Sequence, residues 1–148
     1  KESHIAAADA LIRSALTHSI ESRLGVEWVD ALVPIPSRRS AVRKRGRQFL
    51  SEITQSIASE MGLQHLELLR HTRTIKDQSG LDRRQRWNNL EGAFVLPGEV
   101  KRFSGMNILL VDDLVTTGAT LSEAARALRY AGIEVVGAVT AALAQPVR

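Results

Sequence analysis

Apolar residues recur along this chain in two rhythms. Residues 5–19 (IAAADALIRSALTHS) and 49–61 (FLSEITQSIASEM) place them at helical spacing, and Gly62 is suited to stop the second helix. Residues 119–131 (ATLSEAARALRYA) repeat that rhythm and meet Gly132. Shorter apolar runs read as strands. Residues 28–34 (WVDALVP) end against Pro34 and Pro36, Leu66, Leu68 and Leu69 suggest a brief strand, and residues 92–96 (GAFVL) close on Pro97-Gly98. Residues 106–111 (MNILLV) give the clearest strand, of the buried kind, ended by two aspartates, and residues 134–143 (EVVGAVTAAL) give the last. Between residues 71 and 89 the pattern dissolves into charged and amide residues, a long excursion of the sort that compact domains keep for function.

Strand, short loop, helix, strand in this order implies a right-handed crossover between parallel strands, and so an α/β fold. Aromatic residues make up only 4% of the 148, so the core is expected to be aliphatic. The length suits a single domain, with residues 1–25 as a helical segment ahead of a core over 26–148. Because the first residue is Lys1, an upstream segment is expected. The absence of cysteine excludes disulfides, thiolate zinc sites and thiol catalysis within these residues. No apolar run is long enough to span a bilayer, so a cytoplasmic protein without membrane insertion is expected.

The net charge of +4 matters less than its distribution. Arg38, Arg39, Arg43, Lys44, Arg45 and Arg47 fall within ten residues that contain no acid. Arg70, Arg73, Lys76, Arg83, Arg84 and Arg86 form a second group. Any single basic run is commonly a solvated surface, but two runs at predicted loops favour a polyanionic ligand, either a phosphorylated metabolite or nucleic acid.

Residues 108–120 (ILLVDDLVTTGAT) carry the most specific chemistry. A buried strand delivers Asp112 and Asp113 to the carboxyl edge of a parallel sheet, where open α/β sheets bind ligands. The loop that follows opens a helix, whose first amides and partial positive charge suit a phosphate. Gly118 removes bulk there, and Thr116, Thr117 and Thr120 add hydroxyls. Carboxylates that only accept hydrogen bonds suit the hydroxyls of a sugar. A phosphate beside a diol describes ribose 5-phosphate. There is no G-x-x-x-x-G-K-[ST] and no G-x-G-x-x-G, which sets aside the P-loop and dinucleotide folds.

The block VDDLVTTGAT resembles the phosphoribosyl pyrophosphate motif of type I phosphoribosyltransferases. Two further segments narrow the resemblance to the ComF family: Val33-Pro34-Ile35-Pro36 with the arginine-rich stretch up to Arg45-Gly46, and Gln78-Ser79-Gly80-Leu81 with Arg83, Arg86, Asn89-Leu90 and Gly92-Ala93-Phe94. The resemblance implies a parallel-sheet fold with flanking helices and a minimal N-terminal hood. It implies that Asp112 and Asp113 hold the ribose hydroxyls and that Val115, Thr116, Thr117, Gly118, Ala119 and Thr120 cradle the 5-phosphate. Pro36, Ser37, Arg38 and Arg39 would form the pyrophosphate loop, and Gln78, Arg83, Arg84 and Arg86 a flexible loop over the site. Mg²⁺ is the implied cofactor, held through ligand or water by Asp112 and Asp113, and Arg86 joins the two aspartates as a candidate catalytic residue. The implied reaction transfers phosphoribosyl to an acceptor with release of pyrophosphate. Turnover, acceptor and oligomeric state stay open at this level.

The chain departs from the family in two respects. Members often follow Arg-Gly with Phe-Asn-Gln, where this chain has Arg47-Gln48-Phe49, and many carry a cysteine-rich zinc ribbon. The family also implies another reading, a non-catalytic module that handles single-stranded DNA, or a DNA-uptake protein, during natural competence. The arginine stretches, with Trp87 beside Arg86, fit that reading. His4, His18, His65 and His71 have no ligand spacing and are expected to be incidental, and Trp28 is expected in the core.

Overall fold

The computed structural model describes residues 2–38, 43, 48–72 and 92–143. Helix α1 (Glu2–Leu24) leads to strand β1 (Ala31–Pro34), then helix α2 (Phe49–Met61) and the short strands β2 (Gln64–His65), β3 (Arg70–His71) and β4 (Phe94–Val95). A 3-10 turn (Val100–Phe103) precedes β5 (Asn107–Val115), helix α3 (Ala119–Tyr130) and β6 (Glu134–Leu143). The parallel sheet runs β2-β1-β5-β6, while β3 and β4 form a separate antiparallel pair.

Alternation along the two central strands divides the core. Leu32, Leu109 and Val111 face one layer with Leu16 and Ile20 of α1, Phe49, Ile53 and Ile57 of α2, and Val139. Ala31, Val33, Ile108 and Leu110 face the other, with Ala124 and Leu128 of α3, Leu68, Leu69 and Phe94. Burial on both faces explains why β5 reads as a continuous apolar run rather than an alternating one. The expected α/β class with flanking helices is what the chain adopts.

Element limits differ from the sequence reading where pairing overrides local pattern. The strand expected at 28–34 begins only at Ala31, and Trp28 is exposed rather than in the core, its Nε1 donating to Asp30 Oδ1 at 2.9 Å. Asp30 in turn accepts from the Asn107 amide at 2.8 Å, which ties the starts of β1 and β5 together. Pro34 is tolerated inside a central strand for a geometric reason. The Ile35 amide donates to Val111 of β5, so by alternation the missing donor of Pro34 falls on the side where β2 has already ended.

The brief strand expected around Leu66, Leu68 and Leu69 is replaced by two short strands on either side, and Leu68 and Leu69 are buried as the chain passes from one sheet to the other. Nor does β5 end at the aspartates. The ladder to β6 continues through Asp112↔Thr140 to Val115↔Leu143.

One irregularity is sealed by α1. The β5–β6 register slips between Ile108 and Leu109, which leaves Val136 bulged between Val135 and Gly137. Arg23 of α1 donates from Nη2 to the Val136 carbonyl at 3.0 Å, and a Cβ at Gly137 would lie 2.5 Å from that same nitrogen. Gly137→Ala is therefore expected to displace the guanidinium and destabilise by about 1.5–3 kcal/mol, the worth of a bond to a charged donor. In an Arg23→Ala background it should do little, a non-additivity that a denaturant double-mutant cycle would measure.

Candidate functional site

Two neighbouring parallel strands, β1 and β5, carry the candidate residues to one edge of the sheet. Beyond Val111 the chain presents Asp112 and Asp113, and the Asp113 amide donates to Asp112 Oδ1 at 2.8 Å. The two carboxyls stay close enough to interact with each other. Asp112 is buried and Asp113 half-buried.

The turn into α3 rests on Gly118, whose φ of 78° lies in the left-handed region that a side chain would strain. The first bond of the helical ladder runs from the Ser122 amide to the Gly118 carbonyl at 2.9 Å. The amides of residues 118–121 thus stand outside that ladder, and Thr117 Oγ1 accepts from the Ala119 amide at 3.3 Å. Nothing lies within 4 Å of where a Gly118 Cβ would be. Thr116 is exposed, Val115, Thr117 and Thr120 are half-buried, and Ala119 is buried. This geometry can receive an anion of phosphate size against backbone N–H groups and hydroxyls.

Burial, reinforced by the negative charge of Asp113, raises the Asp112 carboxyl from 3.8 to about 7. Hydrogen bonds from the Asp113 and Leu114 backbones oppose that rise without cancelling it. A carboxyl in this condition is stabilised in its ionised form by hydroxyl donors or by a nearby cation. Among the described residues no cluster of three or more His, Cys, Asp or Glu could hold a metal ion. Two adjacent carboxylates nevertheless fit Mg²⁺, which keeps several waters and commonly takes its other ligands from substrate phosphates.

Just past β1, Ile35 is buried and Pro36, Ser37 and Arg38 are half-buried at the start of the basic segment. His71, at the end of β3, lies with Nε2 3.0 Å from the Pro36 carbonyl oxygen, and its ring packs on Phe94 with centroids 5.2 Å apart. The same β3–β4 pair is tied to α3. The Gly92 amide donates to Glu123 Oε1 at 2.9 Å, while Arg126 donates to both Glu123 oxygens at 2.7 and 2.8 Å. The Arg126 bonds, foremost, hold the Glu123 carboxyl below its ordinary range. A cleft of about 370 Å³ adjoins the β1 loop, walled by Pro36, Ser37, Ser51, Glu67, Arg70 and His71. Ser51 Oγ donates to Glu67 and lies 3.3 Å from His65 Nε2.

The structure thus brings Asp112, Asp113 and residues 115–120 together on β5, α3 and the turn between them, with Pro36, Ser37 and Arg38 in the loop that follows the neighbouring strand β1. Arg39 and the flexible-loop candidates Gln78, Arg83, Arg84 and Arg86 lie outside the described residues, as does Trp87. Sequence reasoning passed over His71 and His65 as incidental, yet both are half-buried against specific partners, and burial lowers both imidazoles from 6.5. Glu123 could have been noticed as the i, i+3 partner of Arg126; its bond to Gly92 has no local signal.

The model of the phosphoribosyl transferase domain family matches residues 40–147, and the chain belongs to that family. Within it the chain is of the ComF kind. It is 32% identical over 109 residues to Competence protein F of Haemophilus influenzae, covering 71% of this chain and 46% of that protein. It is 31% identical over 132 residues to the DNA utilization protein YhgH of Escherichia coli, covering 87% and 57%. The chain therefore spans about half the length of these curated relatives. Among solved structures, adenine phosphoribosyltransferase from Rhodothermus marinus superposes with a TM-score of 0.55 over 86% of this chain and 64% of its own, at 18% identity. That likeness concerns the fold alone.

The raised Asp112 carboxyl has a consequence for stability. Between the unfolded value of 3.8 and the folded value of about 7, the folded chain holds a proton that the unfolded chain has lost, so stability falls as pH rises through that window. Asp112→Asn keeps an acceptor for the Asp113 amide and removes the ionisation. Its melting temperature should match the wild type near pH 4 and exceed it by about 3 °C or more at pH 8, as followed by circular dichroism.

Proposed function

We propose that this chain binds phosphoribosyl pyrophosphate with Mg²⁺ and transfers the phosphoribosyl group to an acceptor. The observation that carries the reading is the continuity of one block, in which the central strand, the acidic pair, the Thr-Gly turn and the start of α3 follow one another beside the β1 loop. Family membership supports it.

In this reading the amides and hydroxyls of residues 115–120 hold the 5-phosphate, and Asp112 and Asp113 accept hydrogen bonds from the ribose hydroxyls. The bond between the anomeric carbon and the pyrophosphate oxygen breaks with its electron pair leaving on pyrophosphate, and an acceptor nucleophile bonds to that carbon. Positive charge that develops on the sugar ring faces the acidic pair, and negative charge that develops on pyrophosphate faces Arg38 and the Ser37 amide. Asp112 and Asp113 would hold Mg²⁺ through ligand or water, and the ion would supply neutralisation of the pyrophosphate charge. The protein's own share is positioning and fixed charge.

Isothermal titration with phosphoribosyl pyrophosphate, with and without Mg²⁺, tests the reading. Wild-type protein should bind with Mg²⁺, and the Asp112→Asn/Asp113→Asn pair should lose at least about tenfold in affinity, since two charge-assisted acceptors are weakened together. Wild type that does not bind, or a double variant that binds equally well, would defeat it.

The names of the curated relatives favour a second reading, a role in DNA utilization or competence. Arg38 and Arg70 near the cleft, with the arginine stretch at 43–47, would contact phosphates of a single strand. Affinity for a single-stranded oligonucleotide should then fall steeply with salt, with a logarithmic slope of about −0.7 for each phosphate neutralised. Flat or absent binding would remove this reading.

A further inference from the structure

Pro36 is a loop residue with no N–H to donate, and Pro34 before it has none either. The backbone at the end of β1 is consequently short of donors by which it can be anchored. Among the described residues two hydrogen bonds fix this turn, the Ile35 amide to Val111 at 2.9 Å and His71 Nε2 to the Pro36 carbonyl at 3.0 Å. A carbonyl oxygen can only accept, so Nε2 carries the proton.

The orientation of one carbonyl fixes that of the next amide. No cis peptide bond occurs among the described residues, and in a planar trans peptide the C=O and N–H vectors point in opposite directions. With the Pro36 oxygen turned toward His71, the Ser37 N–H is turned away from it. If the peptide rotated, the carbonyl oxygen would stand where the amide now does and would repel an anion. We propose that His71 is a positioning residue that orients the Pro36–Ser37 peptide so that the Ser37 N–H donates to an anionic ligand of the pyrophosphate class.

The imidazole is well placed to hold that peptide. It ends β3, pairs in register with Phe94 of β4, and its ring lies against the Phe94 ring at a tilt of 31°. Thr72, the next residue, bonds through its amide and its hydroxyl to Ala93, which fixes the backbone that carries the ring. Nδ1 is buried with no partner among the described residues, which disfavours a second proton on the ring. Burial, together with the charge of Arg38, lowers the imidazole from 6.5 against the opposite pull of the Pro36 bond, so the neutral, Nε2-protonated form prevails at neutral pH.

This inference rests on the pyrophosphate-binding reading, and its test uses two probes that separate them: Mg-pyrophosphate for the β1 loop and ribose 5-phosphate for the α3 turn. His71→Gln keeps an amide donor near the position of Nε2, whereas His71→Asn is too short to reach the Pro36 oxygen. His71→Asn should weaken pyrophosphate by about tenfold and leave ribose 5-phosphate within about twofold, while His71→Gln should recover pyrophosphate to within about threefold of wild type. Unchanged pyrophosphate affinity in His71→Asn, equal losses for both probes, or no recovery in His71→Gln would overturn the positioning role. Wild-type protein that binds neither probe would overturn the functional reading itself, and this inference with it.

Discussion

Asp112 follows residues 108–111 of β5, which are at most 1% exposed, and Asp113 follows it directly. Burial beside a second carboxylate is unfavourable for the charged form, and the backbone bonds from Asp113 and Leu114 offset only part of that. The rest of the edge can be understood from this condition. In the proposed reading a sugar with two hydroxyls would add donors to the pair, and the amides at the start of α3 would receive the phosphate that comes with it. The ladder from β5 to β6 extends past the aspartates to Val115 and Leu143, so the acidic pair is held on paired strand and not on a loose loop. Such support keeps an uncomfortable charge in one place.

The β3–β4 pair has little sheet of its own, yet it meets both sides of the edge. His71 holds the Pro36 carbonyl on one side, and Gly92 is held by Glu123 of α3 on the other. Glu123 is itself fixed by the Arg126 fork, in the bidentate geometry that gives such pairs their directional strength. The loop after β1 and the turn into α3 are thereby referred to a common support. Leu68, Leu69 and Phe94, all buried, anchor that support in the core.

Much of this was legible in the sequence because local rules and tertiary demands agreed. Residues 49–61 and 134–143 read as helix and strand to the residue, and Gly62, at a φ of 68°, caps the helix as its position suggested. The order strand, acidic pair, Thr-Gly turn, helix is a local signal for a site that is itself local, so the α3 side of the edge could be read from one segment. Where partners are distant in sequence, the reading failed. His71 meets Pro36 35 positions away, Glu123 meets Gly92 31 positions away, and neither pairing leaves a periodic trace. Trp28 misled because an aromatic at a strand start resembles core, whereas β1 pairs only from Ala31 and leaves the indole outside.

A ligand site and a capped turn differ in how the acidic pair titrates. Carboxyl carbon NMR of Asp112 across pH, with and without saturating ribose 5-phosphate, measures this directly. The expected result is a midpoint near 7 in the ligand-free protein and a fall toward the ordinary carboxylate range when sugar hydroxyls bond to the ionised form. A midpoint already in the ordinary range without ligand, or one that ribose 5-phosphate leaves unmoved, would contradict it.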